Sequence, residues 1–203
     1  MLRNSYPGKF IVFEGLDGSG QSTQAGLLKN FLVKKGCRTV LTKESTMDSA
    51  AGRLIRKVLD GKKKIPPKKL QELYAEDREQ HLKKVVVPNL KKGKIVISDR
   101  YFFSSFAYGS LDAPLSYLLK INDKFLMPDL AFFINTKPET CVLRIERRGK
   151  KKTLFERKEK LKKVHQNYKK IIKKFRNVII IDGEGSIKET HRRIIKKISN
   201  YAQ

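Results

Sequence analysis

The stretch from Phe10 to Thr23 decides the fold, and it reads Phe-Ile-Val-Phe-Glu-Gly-Leu-Asp-Gly-Ser-Gly-Gln-Ser-Thr. Its four apolar residues predict a buried strand, and the apolar residues from Leu27 to Leu32 predict an amphipathic helix after it. Between strand and helix, Gly15, Gly18 and Gly20 allow the backbone to curl, so that successive N–H groups and the helix N-terminus point at phosphate oxygens. The stretch therefore predicts a phosphate-binding loop.

The loop departs from the usual pattern at one position, because Gln21 stands where Lys is expected. The next residue, Ser22, can ligate Mg²⁺. A Lys at this position places positive charge on the β- and γ-phosphates in the transition state, whereas an amide only donates hydrogen bonds. A lost charge-assisted contact of about 1.5–3 kcal/mol costs roughly ten- to over a hundredfold in rate. We expect residues 147–152, which are basic, to be one source of a replacement cation.

Short apolar runs alternate with longer amphipathic ones, which is typical of an α/β domain with a parallel sheet. The runs lack clean alternation, as strands buried on both faces do. They are residues 10–13, 39–41, 95–97, 130–134 and 178–181. Amphipathic patterns at 155–175 and 187–198 predict helices, and Pro88 is expected to kink or end one. We expect a single domain, residues 1–203, with a five-stranded parallel sheet in a three-layer α/β/α arrangement.

Composition adds a formal net charge of +26, which favours polyanionic partners such as nucleotides, nucleic acids or anionic membranes. The favoured alternative explanation of this charge is that the lysines lie on solvated helix faces, because they are scattered through almost every predicted helix.

Cys37 and Cys141 lie far apart and predict free thiols. His81, His165 and His191 lack triad partners and are predicted to be structural. No signal-peptide core or membrane span is visible, so we expect a cytoplasmic protein.

A second signature follows the third predicted strand, where Asp99 and Arg100 precede Tyr101. A carboxylate at the C-terminal end of a strand that adjoins the loop strand can organise Mg²⁺, and an arginine beside it can reach a phosphate. A surface ion pair is the alternative for these two residues alone. The phosphate loop upstream favours the functional interpretation.

These motifs resemble the thymidylate kinase family of P-loop nucleoside monophosphate kinases, over nearly the whole chain. Five pieces in the family's order carry the resemblance. They are the phosphate loop with Asp17, the run Leu73–Arg78, Asp99–Tyr101 followed by Ser105 and Tyr108, Pro128–Leu130, and Arg144–Gly149. The resemblance implies a P-loop NTPase fold and transfer of the γ-phosphate of ATP to dTMP, with Mg²⁺, to give dTDP.

The resemblance also implies roles for individual residues. ATP would be bound by Gly15, Leu16, Asp17, Gly18, Ser19, Gly20, Gln21, Ser22, Thr23, Arg144 and Arg148. The dTMP site would comprise Asp17, Lys43, Glu44, Tyr74, Arg78, Arg100, Ser105 and Tyr108. Catalysis would involve Gln21, Asp99, Arg100 and Arg147, with Ser22 and Asp99 as the metal-binding residues. A basic lid would span about residues 144–155, for which a solvated Lys-rich turn is the alternative.

Within the dTMP site, the resemblance distributes the contacts. Tyr74 would stack on thymine, although a core aromatic is the alternative, and Arg78 would hydrogen-bond the edge of the base. Asp17 would contact the 3′-hydroxyl and Arg100 the monophosphate. Tyr108 would occupy the space that a ribose 2′-hydroxyl needs.

Three departures from the family pattern leave alternatives open. Gln21 is the first, Lys43 replaces a usual arginine, and Gly109 stands where many members have Gln or another side chain. The alternatives are a nucleotide-binding family member with weak or no kinase activity, a kinase for another nucleoside or nucleotide, and a basic nucleic-acid-binding protein. The resemblance further implies a homodimer.

Overall fold

A computed structural model describes residues 1–149 and 158–199. Within them, five parallel strands form one sheet in the order β2-β3-β1-β4-β5. The strands are β1 Lys9–Gly15, β2 Thr39–Lys43, β3 Ile95–Asp99, β4 Leu130–Asn135 and β5 Val178–Asp182. Each contains the apolar run that predicted it, so the five-stranded parallel sheet is confirmed.

Helices cover both faces of this sheet. They are α1 Gln21–Lys34, α2 Ala50–Leu59, α3 Pro67–His81, α4 Val87–Lys91, α5 Phe102–Gly109, α6 Leu115–Asn122, α7 Pro138–Arg147, α8 Lys158–Ile172 and α9 Ile187–Ser199. Phe10 and Val12 of β1 enter a core shared with α2, α3, α5 and α8, whereas Ile11 and Phe13 enter a second core with α1 and α9. Because successive side chains of a strand point to opposite faces, burial on both faces explains the unbroken apolar run of β1. The same expectation is wrong for the edge strands β2 and β5, where Leu41 is 42% and Ile180 55% exposed.

Pro88 lies within a continuous helical segment and does not end it. After α3, a π-helical stretch, Leu82–Val86, leads into α4, and Pro88 lies in the first turn of α4. The N–H of Val87 donates to the carbonyl oxygen of Leu82, which is five residues earlier. Proline is tolerated in a first helical turn because its missing N–H has no obligatory partner there.

The sheet order places the phosphate loop at the centre of one edge. β1 lies between β3 and β4, and the β1–β3 register sets Phe13 opposite Asp99. Ligands of open α/β sheets bind outside the carboxyl ends of the strands. The two sequence signatures therefore meet at the edge where a ligand is expected. Separately, none of the helices in the described part of the chain is long and apolar enough to cross a membrane.

Packing of α1 against the sheet can be tested with two substitutions on that helix. Leu28 is fully buried and Val33 is 47% exposed. We expect Leu28→Ala to lower the free energy of unfolding by about 2–5 kcal/mol, and Val33→Ala to change it by about 0.5 kcal/mol or less. Urea unfolding measures both. Equal losses would contradict the burial of this face.

Candidate active site

The predicted phosphate loop ends at the N-terminus of α1 and leaves that terminus open. Gly20 precedes the helix with a φ of 96°, a left-handed conformation that glycine adopts without steric cost. No side-chain hydrogen bond caps the helix in the described structure, so its first N–H groups are available to an anion. A Cβ at Gly15 would lie 2.5 Å from Ser19 Oγ and 3.0 Å from the backbone oxygen of Ile134, so any other residue would disturb the loop. The loop therefore has the geometry of an anion cradle.

Gln21 is buried inside this loop, with only 5% of the residue exposed. Its Oε1 accepts a hydrogen bond from Ser19 Oγ at 3.3 Å. The carboxamide thus supports the shape of the loop and contributes no positive charge to a phosphate. Any such charge has to come from another part of the site.

Asp99, at the end of β3, joins the loop to the neighbouring strand. Ser22 Oγ donates to Asp99 Oδ2 at 2.6 Å, and Lys43 Nζ lies 3.1 Å from the same oxygen. Asp99 Oδ1 is buried and has no hydrogen-bond partner among the residues that the structure describes. A carboxylate and a hydroxyl side by side fit Mg²⁺, which commonly takes one or two carboxylates together with phosphate oxygens and waters.

Arg100 is held in place by its backbone and by several polar contacts. Its φ of 74° is unfavourable for a residue other than glycine, and such strain is commonly found at functional sites. Its guanidinium donates to Gly15 O at 3.1 Å, to Ser104 Oγ at 2.8 Å and to Asp17 Oδ1 at 2.7 Å. The same group lies 5.3 Å from the centre of the Tyr108 ring. Arg100 thus links the phosphate loop to α5.

The backbone strain at Arg100 predicts an order of stability for two variants. Arg100→Gly relieves the left-handed strain and Arg100→Ala does not, so the glycine variant should be more stable by roughly 1 kcal/mol. Both variants lose the guanidinium equally, which makes each the control for the other. Thermal or urea unfolding measures the difference, and an alanine variant at least as stable as the glycine variant would refute the strain.

Glu14 is a buried carboxyl group directly before the loop, to which the sequence analysis assigned no role. Its Oε1 accepts the backbone N–H of Tyr101 at 2.9 Å, and its Oε2 accepts the hydroxyls of Ser104 at 2.6 Å and Tyr168 at 2.9 Å. Burial raises the pKa of Glu14 to about 7, although these hydrogen bonds and the Arg100 charge each lower it. The signal that could have found Glu14 is a carboxylate placed between a buried strand and a glycine-rich loop.

The raised pKa of Glu14 predicts a pH-dependent stability. Between pH 4.5 and about pH 7 the unfolded state ionises while the folded state stays protonated, so stability is lost as the pH rises. The loss amounts to about 3 kcal/mol across this window. Glu14→Gln should remove this component, so that the difference in unfolding free energy between wild type and variant changes with pH. The same pH slope in both proteins would contradict the raised pKa.

A first cleft of about 540 Å³ opens over the phosphate loop. The predicted ATP-binding residues that line it are Asp17, Gly18, Ser19, Gly20, Gln21, Ser22, Thr23, Arg144 and Arg148. Gly15 and Leu16 do not line it, and Leu16 is buried in the core. Arg144 donates from Nη1 to Ser19 O and from Nη2 to Gly183 O, both at 3.2 Å. It thereby ties α7 to the loop.

A second cleft, also of about 540 Å³, lies between the end of β2, α3 and α5. Every predicted dTMP-binding residue lines it. These are Asp17, Lys43, Glu44, Tyr74, Arg78, Arg100, Ser105 and Tyr108. Four residues line both clefts, namely Asp17, Lys43, Arg100 and Arg148. The clefts therefore share a wall that carries three cationic side chains and one carboxylate.

Arg78 lines the second cleft, yet the protein engages its guanidinium closely. Nε donates to Glu44 Oε2 at 2.8 Å, Nη2 donates to Ser105 Oγ at 3.1 Å, and Nη1 donates to Asn122 Oδ1. Only 1% of Arg78 is exposed. His81, predicted to be structural, lies with Nδ1 3.0 Å from the other oxygen of Glu44. Three nitrogen atoms of Arg78 therefore have protein partners before any base is bound.

The predicted lid is only partly within the described structure. Arg147 lies exposed in the last turn of α7 and lines neither of the two clefts. Of the segment 147–152, named as a source of cations, residues 150–152 lie outside the described residues. The same holds for residues 150–155 of the lid, which stays a prediction.

These features define a P-loop protein of the nucleotide-binding class. The sheet is parallel, a glycine-rich loop joins its central strand to a helix, and a carboxylate is hydrogen-bonded to the serine of that loop. The family model described as thymidylate kinase matches residues 13–194. The chain belongs to the thymidylate kinase family. The resemblance drawn from the motifs and the P-loop NTPase fold are thereby confirmed.

Curated relatives agree with this family along almost their whole length. A probable thymidylate kinase of Thermococcus onnurineus is 40% identical over 200 residues, which cover 94% of this chain and 97% of that protein. A second, of Thermococcus gammatolerans, is 38% identical over 198 residues, or 93% and 94% of the two chains. A thymidylate kinase of Caldicellulosiruptor saccharolyticus is 33% identical over 199 residues, or 95% and 97%. These matches favour an enzyme over the nucleic-acid-binding alternative.

Proposed function

We propose that this protein transfers the γ-phosphate of ATP to the phosphate of dTMP, giving dTDP and ADP. Besides family membership, one observation supports the proposal: the two clefts share a wall. This wall is formed by Asp17, Lys43, Arg100 and Arg148. A donor phosphate over the loop and an acceptor phosphate in the second cleft would meet at this wall. Its cationic side chains suit the negative charge of both.

On the donor side, ATP phosphates would lie against the N–H groups at the open N-terminus of α1. Ser22 and Asp99 would hold Mg²⁺, which supplies charge that neutralises the β- and γ-phosphate oxygens. The contacts of Asp99 support this role, because Ser22 and Lys43 both contact its Oδ2, and its buried Oδ1 has no hydrogen-bond partner in the described residues. Arg144 would fix the outer side of the loop through its contact with Ser19.

On the acceptor side, the deoxyribose and its phosphate would lie among Asp17, Arg100 and Tyr108. The Tyr108 hydroxyl accepts the Asp17 N–H at 2.9 Å and donates to Asp17 Oδ2 at 3.1 Å. This double contact fixes the ring that would exclude a ribose 2′-hydroxyl. Tyr74 would stack on the base, and Arg100 would bind the monophosphate.

Lys43 is the cation that we propose as the substitute for the missing Lys at position 21. Its side chain is 62% exposed and contacts Asp99, which in turn binds the loop serine. It also lines both clefts, so its flexible stem can follow the transferred phosphoryl group. Because the attacking phosphate oxygen is already anionic, the reaction needs positioning and charge stabilisation and no strong base.

A coupled assay with dTMP, ATP and Mg²⁺ tests the proposed reaction and the role of Lys43. Wild type should form ADP only in the presence of dTMP, and Lys43→Met should lower kcat about 10- to 100-fold through loss of a charge-assisted contact. Gln21→Lys should restore part of that loss in the Lys43→Met background. Lys57→Met, which removes an exposed lysine of α2, is the matched control and should leave the rate unchanged.

A background rate in the wild type that Gln21→Lys rescues would contradict the proposed activity and support a nucleotide-binding protein with weak or no turnover. A comparison of dTMP, dUMP, UMP and thymidine as acceptors decides between this reaction and that of a kinase for another nucleoside or nucleotide.

A homodimer and a cytoplasmic location remain part of the proposal. Light scattering and fractionation of cells test them.

A further inference from the structure

Gln71 is a buried polar residue in the wall of the second cleft, and the roles proposed so far do not use it. It precedes Tyr74 by three residues and Arg78 by seven on α3, so the three residues share one face of the helix, and all three line the cleft. Only 5% of Gln71 is exposed. Its Oε1 is buried without a hydrogen-bond partner in the described part of the chain. Such a group in a native protein calls for a partner.

Gly109 of α5 provides the space that the Gln71 side chain occupies. A Cβ at position 109 would lie 2.9 Å from both Cδ and Oε1 of Gln71, and 3.0 Å from Leu118 Cδ1. Any side chain at this position would therefore displace the carboxamide. Gly109 was noted in the sequence as a departure from the family pattern, and Gln71 of the facing helix fills the space that this departure leaves.

Two other residues of this cleft, Arg78 and Ser105, are already bonded to the protein. Arg78 bonds to Glu44, Ser105 and Asn122, and Ser105 Oγ is the acceptor of one of those bonds. Gln71 differs from them, because no protein partner in the described residues fixes which way its amide faces. A rotation of 180° exchanges Oε1 and Nε2 with almost no change in shape. The carboxamide can therefore adopt the orientation that a ligand requires.

We propose that the Gln71 carboxamide recognises the imide edge of the pyrimidine base, and this inference rests on the proposed function. Thymine and uracil present an N3–H donor between two carbonyl acceptors, which is complementary to a carboxamide that accepts through Oε1 and donates through Nε2. Tyr74, one turn along α3, covers the face of the base while Gln71 contacts its edge. Gln71 is thus a specificity-determining residue that local sequence motifs did not reveal.

The test compares equilibrium binding of dTMP with that of N3-methyl-dTMP, which lacks the N3–H. In the wild type, N3-methylation should weaken binding about tenfold or more, because it removes a hydrogen bond and leaves Gln71 without a partner. In Gln71→Met this penalty should shrink to about threefold or less. Gly109→Ala displaces the same carboxamide without altering it, and alanine favours the helix. It should therefore reproduce the reduced penalty.

Gln80→Met is the matched control, because Gln80 lies on the same helix but outside the second cleft. It should retain the wild-type penalty. The same methylation penalty in wild type, Gln71→Met and Gly109→Ala overturns the inference, even where dTMP binding is weaker throughout. A wild type that binds dTMP without phosphorylating it contradicts the proposed function alone, while the binding comparison still decides the role of Gln71. A wild type that does not bind dTMP overturns both.

Discussion

The site depends on the pairing of β1 with β3. Their register sets Phe13 opposite Asp99, and the Arg100 N–H continues this pairing by donating to Phe13 O at 2.9 Å. The phosphate loop, its carboxylate and the arginine are consequently fixed by backbone hydrogen bonds between two buried strands. A slip by one residue would point Asp99 to the opposite face of the sheet and remove it from Ser22. A rigid sheet edge thus provides the precision that positioning catalysis requires.

The distribution of charge around the loop is the feature that sets this chain apart within its family pattern. Gln21 contributes to the loop through Ser19, whereas the positive charges lie on the wall that both clefts share. In the proposed function, phosphate binding rests on backbone N–H groups and a helix terminus, which do not depend on position 21. Stabilisation of the transferred group is there assigned to Lys43 of β2 and to Mg²⁺ held by Ser22 and Asp99. The proposal thus separates two tasks that a loop lysine would combine.

The strands and much of the site follow from local sequence, because each depends on residues close together in the chain. The run Phe10–Phe13 is apolar throughout since both of its faces are buried, and the glycines after it predict the phosphate loop. Asp99 is the last residue of β3 and Arg100 follows it directly, so their place at the sheet edge is predictable from the apolar run before them. Tyr74 could be placed in the cleft through the family resemblance, and it does line the cleft.

Other features could be identified only from the three-dimensional fold. The contact of Gln71 with Gly109 joins helices α3 and α5, which are far apart in sequence, and no local pattern announces it. Glu14 acquires its raised pKa only through burial in the folded protein, and the hydrogen bonds that it accepts from Ser104 of α5 and Tyr168 of α8 lower this pKa. The π-helical stretch Leu82–Val86 lies directly before the helical turn that contains Pro88, where the sequence predicted only a kink or an end. For Gln71 and Glu14 the decisive partners lie in other elements.

The central claim is that the two clefts form one continuous site for phosphoryl transfer. A compound in which adenosine and thymidine are joined through a five-phosphate chain would occupy both clefts at once. Titration calorimetry should show that it binds at least about 100-fold more tightly than ATP or dTMP alone, because the second half binds at a high effective concentration. Binding no tighter than that of ATP would contradict a continuous site.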